Sequence, residues 1–289
     1  MTNDRTQSIG ASDAPAVVCG PQFPIWAQKT GLAEPPDLDA VEAVQWGKIL
    51  EATIAQTYAM RTGRTVTHNA AADVTRHPDH HFMTATLDAE QTDPKRGIGV
   101  LEIKNVGEWM VKGRSHTTGN WEDEPPLRFQ VQLQHQLAVT GMSWGTLCAL
   151  IGGNKLRWFD MDMNVSFMCA MIEKEAAFWE LVKSKTPPPP DGSIATADTL
   201  RRMYPKGKEG EIIALPPEAD DWDIARLAGL CDKVIAEVKI RTADNLLKAA
   251  LGTATKGILP SGGHYTFTTT ERKGYQVKPT SFRVLRRKV

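Results

Sequence analysis

Along residues 126–141, PLRFQVQLQHQLAVTG, apolar and polar positions alternate from Leu127 to Gln134, and every second residue from 130 to 136 is glutamine. Period-two alternation is the signal of a half-buried strand. Three features favour a helix instead: Asp123 and Glu124 ahead of Pro125 and Pro126, the fair helix propensity of glutamine, and a run past ten residues to Gly141. The pattern by itself leaves both open. Elsewhere it is plainer. SIGASDAPAVVCG predicts a short helix started near Ser12 and stopped at Gly20, and AVQWGKILEATIAQTYAMRTG a longer one with Leu50, Ile54 and Tyr58 at i, i+4 spacing. HFMTATLDAE and GIGVLEIKN, separated by the turn-rich QTDPKRG, predict an antiparallel hairpin, and TLCALIGG with KLRWFDMD a second. Residues 164–184 then predict an amphipathic helix.

Thr186 to Gly192, with four consecutive prolines, can be neither helix nor interior strand. This places a first domain at 1–185, a Pro-rich linker at 186–192 and a C-terminal extension at 193–289. In the extension Trp222, Leu227, Leu230, Val234 and Val238 stand at helical spacing, giving one long helix or a helical hairpin, followed by two strands with a basic end. Residues 271–289 hold seven Lys/Arg against Glu271, enough to grip a DNA backbone or simply to solvate a terminal strand.

Composition narrows the class without deciding function. No apolar run approaches the ~18 residues that a membrane helix needs. The start, MTNDRTQSIG, lacks the basic and then apolar pattern of a secretory leader, and Cys19, Cys148, Cys169 and Cys231 form no CxxC pair, so a cytoplasmic location with free thiols is expected. Net charge is zero, which argues against whole-surface attraction to nucleic acid; any DNA binding must use local patches.

Chemistry concentrates in GVLEIKN. On a strand, Leu101 and Ile103 face one side while Glu102 and Lys104 share the other. Asp88, at the end of the preceding strand, can be brought to the Glu102 side by the hairpin. Two carboxylates with a lysine suit a hard divalent cation that works on phosphate; an isolated Glu-x-Lys is otherwise a surface cross-strand salt bridge.

In order along the chain, Trp46-Gly47-Lys48 with Glu51, Thr86-Leu87-Asp88, Leu101-Glu102-Ile103-Lys104 and the glutamine segment resemble the PD-(D/E)xK nuclease superfamily, and within it the YqaJ-type viral recombinase (phage lambda Red exonuclease) family. Leu87-Asp88 replaces the proline-aspartate of the superfamily name; only the aspartate is needed as a ligand. The resemblance implies an α/β restriction-endonuclease-like core with a mixed central sheet flanked by helices. It implies Asp88, Glu102 and the Ile103 carbonyl as ligands of Mg²⁺, with Mn²⁺ able to substitute, and Lys104 to position or activate the water. Glu51 is implied as a further acid near the metal, and Gln132 as the glutamine facing the active site. The 5′-phosphate would meet Arg5, Ser12 and Thr86. On a helix Gln130 and Gln134 share one face and Gln132 and Gln136 the other; Gln130 and Gln134 are expected to be surface or packing residues.

The implied activity is Mg²⁺-dependent 5′-to-3′ degradation of linear double-stranded DNA, leaving 3′ overhangs for phage-type recombination. The implied partners are a single-strand annealing recombinase and further copies of the chain in a trimeric ring. Alternatives are a nuclease of other polarity or substrate, such as a single-strand exonuclease or nicking endonuclease, and a non-catalytic DNA-end-binding adaptor. His77, Asp79, His80 and His81 are expected to be a solvated loop, and GGNKLRW lacks a P-loop ending. Trp26, Trp109 and Trp121 are candidates to stack on an unpaired base, or core residues.

Overall fold

A computed structural model describes residues 5–35, 37–69, 73–108 and 121–271. The chain divides into two compact units, Met1–Pro205 and Lys206–Val289. The first runs β1 (Ile9–Gly10), α1 (Ala14–Cys19), α2 (Gln22–Lys29), α3 (Glu42–Thr62), β2 (Thr65–His68), β3 (Val74–Arg76) and β4 (Met83–Thr86). It continues with β5 (Ala89–Asp93), β6 (Gly97–Val106), α4 (Leu127–Thr140), β7 (Trp144–Ile151), β8 (Lys155–Asp162), α5 (Val165–Lys183) and α6 (Ile194–Met203).

The glutamine segment is a helix, α4. Its alternation misleads because the helix is enclosed: Val131 and every residue from Leu133 to Val139 are buried, so no clean 3.6-residue stripe remains to be read. Gly141 ends it at φ +71°, a left-handed cap that glycine adopts without strain.

A five-stranded mixed sheet, ordered β2-β5-β6-β7-β8, forms the centre; β6 and β7 pair in parallel and the other neighbours antiparallel. Parallel neighbours need a crossover, and α4 lies within it. One face of the sheet packs Ala89, Leu101, Ile103 and Cys148 against Ile54, Ala55 and Tyr58 of α3. The other packs Val100, Val106 and Leu147 against Val131, Leu133 and Leu137 of α4. Helix and sheet approach closely at Gly145, where a Cβ would lie 2.8 Å from Leu133 Cδ1 and 3.0 Å from the Val100 carbonyl.

Two expectations are corrected. Residues 81–90 are not one strand, because the chain bends at Leu87-Asp88 and passes from a small sheet, β1-β4-β3, into the central one. The hairpin is formed by β5 and β6, with Ala89 opposite Leu101. The prolines 187–190 likewise do not end the first unit. Leu200 and Met203 of α6 pack with Phe23, Trp26 and Phe178, so burial of this apolar face draws the chain back before the division at Pro205.

In the second unit, α7 (Ala219–Leu251) is a single 33-residue helix rather than a helical hairpin, with none of its residues buried. β9 (Lys256–Ile258) and β10 (His264–Thr266) pair antiparallel. The second strand expected beyond Glu271, with the basic end, lies outside the described residues.

Candidate active site

β6 sends Glu102 and Lys104 to the α4 face of the sheet, the opposite side from Leu101 and Ile103. Glu102 is 1% exposed and is held by three donors. Lys104 Nζ and Gln132 Nε2 both reach Oε1, the amide at 2.5 Å, and Gln136 Nε2 donates to Oε2 at 2.5 Å. The two glutamines come from successive turns of α4, the i, i+4 relationship that aligns side chains on one face.

Asp88 stands at the bend where β4 hands over to β5. Because β5 pairs with β6 only from Ala89 onward, the N–H of Ile103 is left to the Asp88 side chain and donates to Oδ2 at 2.7 Å. Burial, and then the neighbouring Glu102 charge, push the Asp88 carboxyl well above the usual carboxylate range; Lys104 and the Ile103 N–H offset only part of this. Burial works against charge on Lys104, yet Glu102 and Asp88 together hold its ammonium above the ordinary lysine value. As an ammonium, Lys104 can orient a water and neutralise a phosphate.

Asp88, Glu102, Lys104 and Gln132 line one pocket of about 520 Å³, together with Glu51, Ser12, Thr86, Ser8, Thr84, His68, Asn69, Lys29 and Lys48. Glu51 Oε1 and His68 Nε2 are 2.8 Å apart. Lys29, almost wholly buried, reaches Asp13 Oδ2 at 2.6 Å, and the Gly10 N–H donates to the same oxygen at 3.1 Å. Ser12 precedes a helix of only six residues whose cap position is Asp13, so the helix dipole is not what would favour an anion there. Hydroxyls of Ser8, Ser12, Thr84 and Thr86 and the ammonium groups of Lys29 and Lys48 supply the polar lining instead. The Arg5 side chain lies outside the described residues.

Residues 2–143 match the YqaJ-like viral recombinase domain family. Over 221 residues the chain is 30% identical to the uncharacterized protein YqaJ of Bacillus subtilis (strain 168), covering 73% of this chain and 65% of that protein. The alkaline exonuclease LHK-Exo from Laribacter hongkongensis, solved alone and in complex with dAMP, superposes with a TM-score of 0.50 at 19% identity. Each alignment covers 63% of this chain and 90% of that one, and establishes a shared PD-(D/E)xK fold.

The first unit brings Asp88, Glu102, Lys104, Gln132, Glu51, Ser12 and Thr86 to a single concavity. The donor set fits a hard divalent cation: two carboxylates, no soft ligand, and an Asp88 carboxyl raised first by burial and then by the neighbouring Glu102 charge, which a cation would offset. Among the described residues no group of three His, Cys, Asp or Glu is gathered in ligating geometry, and Glu102 is occupied by its three donors.

Other residues at the site carry weaker sequence signals: Gln136 shares a face with Gln132 by spacing alone, Lys48 stands inside the Trp-Gly-Lys motif, and Lys29, Ser8 and Asn69 carry no local signal. Gln134, buried, binds elsewhere, donating to the Asp162 carbonyl at 2.8 Å and accepting from the Asn164 N–H at 2.8 Å, while Gln130 donates to the Pro125 carbonyl at 2.7 Å. Trp26 and Trp121 are buried and cannot meet a base, and Trp109 lies outside the described residues. His77 Nδ1 accepts from the N–H groups of Asp79 and His80 at 3.1 Å each, a turn cap rather than a metal cluster.

Proposed function

We propose that this protein is a divalent-metal-dependent exonuclease that degrades the 5′-ended strand of linear double-stranded DNA and leaves 3′ overhangs for phage-type homologous recombination. The observation that carries the reading is the convergence of Asp88, Glu102, Lys104 and Gln132 in one pocket of a YqaJ-like domain.

Asp88 and Glu102 would hold Mg²⁺, with Mn²⁺ as substitute. In a strand the N–H and C=O of one residue point to the same edge, so the Ile103 carbonyl faces the same gap as its N–H and is the natural third oxygen. The cation, when bound, supplies Lewis-acid polarisation of the scissile phosphate and acidifies water. Lys104 positions or activates the attacking water and balances charge on the phosphate. Gln132 can turn its amide from Glu102 to a phosphate oxygen or a water, since it both donates and accepts. Glu51, held by His68, adds negative charge at the rim. The lining hydroxyls of Ser12 and Thr86, with Arg5, would receive the 5′-phosphate.

Action with a single-strand annealing recombinase, and assembly of copies into a trimeric ring, follow from the same family reading. Incubation of linear duplex, covalently closed circular duplex and single-stranded DNA with Mg²⁺ tests the substrate class. Loss of linear duplex alone is expected; nicking of the circle or preference for single strands replaces this reading with an endonuclease or single-strand exonuclease.

A further inference from the structure

Gln132 and Gln136 both end on Glu102, yet their surroundings differ. Gln132 lines the open pocket and shares Oε1 with Lys104. Gln136 is fully buried, does not line the pocket, and has the other carboxylate oxygen, Oε2, at 2.5 Å. Its own Oε1 is buried with no hydrogen-bond partner among the described residues. Turning the amide over would set that oxygen against the carboxylate, acceptor against acceptor, so the charge of Glu102 dictates which end points inward.

A buried amide oxygen in that position is a standing cost that leucine or methionine would avoid. The terminal torsion of a glutamate is broad, so a carboxylate anchored by one oxygen alone can rotate. Of the three donors, those on Oε1 sit at the pocket and can exchange for a ligand, whereas the bond to Oε2 is sealed behind the helix.

We infer that Gln136 is the positioning residue of this site: it pins Oε2 of Glu102 so that Oε1 is the oxygen turned toward the pocket and available to a divalent cation. This rests on the nuclease reading and adds a residue to it. Groups that orient a metal ligand set affinity as much as the ligand itself; their removal typically weakens metal binding by roughly 10- to 100-fold.

The test is Mn²⁺ binding without DNA, followed by calorimetry and by the rise in melting temperature on titration, for wild type, Gln136→Leu and Gln134→Leu. The expected result is an Mn²⁺ half-saturation raised roughly 10- to 100-fold in Gln136→Leu, and unchanged in Gln134→Leu, whose bonds lie elsewhere on the same helix. Should Gln136→Leu fail to fold, Gln136→Asn, one methylene shorter, gives the same readout. Wild-type binding with an unchanged half-saturation in the Gln136 variant overturns the positioning role. No Mn²⁺ binding by wild type overturns the metal-dependent reading itself.

Discussion

The backbone N–H of Ile103 donates to Asp88 Oδ2 at 2.7 Å, across the point where β5 stops accompanying β6. The end of one strand thus frees a peptide group to fix a carboxylate. An asparagine retains an oxygen that can accept this bond but loses the charge that Glu102 repels. Asp88→Asn is therefore expected to melt no lower than wild type while DNA cleavage falls roughly 100-fold or more. Melting curves and single-turnover cleavage on the same preparation check the two halves.

Gln132 and Gln134 are two residues apart and should fail differently. Gln132→Ala removes a pocket-facing amide, with an expected loss of roughly 100-fold in cleavage and little change in stability. Gln134→Ala breaks two buried bonds to the β8–α5 junction and should lower stability by about 1–3 kcal/mol with near-normal cleavage per folded molecule. Urea unfolding and initial rates separate them.

His135 and Glu175 form a fully buried pair joining α4 to α5, with His135 Nδ1 2.9 Å from Glu175 and Nε2 3.0 Å from the Thr84 carbonyl. Both ring nitrogens face acceptors, so the imidazolium satisfies both. Burial opposes the charge, but Glu175 and the Thr84 carbonyl hold the histidine above its ordinary value. A raised folded-state value means the stabilisation is fully present below about pH 6.5 and is lost as pH rises through the higher folded value. Wild type should therefore lose stability over that alkaline window. Glu175→Ala should cost about 3 kcal/mol at pH 6 and flatten the profile, as read by denaturant unfolding across pH.

How much of this could be read from the chain depends on the range of each signal. Glu102 and Lys104 share a face by strand period alone, and α3, α5 and the β7–β8 hairpin follow from local periodicity. The break at Leu87-Asp88 does not, because nothing local says that β4 and β5 belong to different sheets. Lys29 enters the pocket only because α2 packs beside α1, a contact without sequence signature. The four glutamines mark the intermediate case: spacing separates them into pairs, but only burial distinguishes Gln132 at the pocket from Gln136 behind it.

The Ser12 side of the pocket supplies a test of end recognition. Ser12→Ala should narrow the preference for 5′-phosphorylated over 5′-hydroxyl ends by roughly tenfold, about the value of one hydrogen bond to a charged group. The comparison is of initial rates on duplexes differing only in that phosphate.

A linear duplex labelled internally on one strand, with the two ends blocked in turn, separates the two polarities when followed in Mg²⁺ or in EDTA with wild type and Lys104→Ala. Mononucleotide release from the 5′-ended strand is expected from wild type in Mg²⁺, and none in EDTA or with Lys104→Ala. Equal digestion by Lys104→Ala, or release from the 3′-ended strand, would contradict the proposed function.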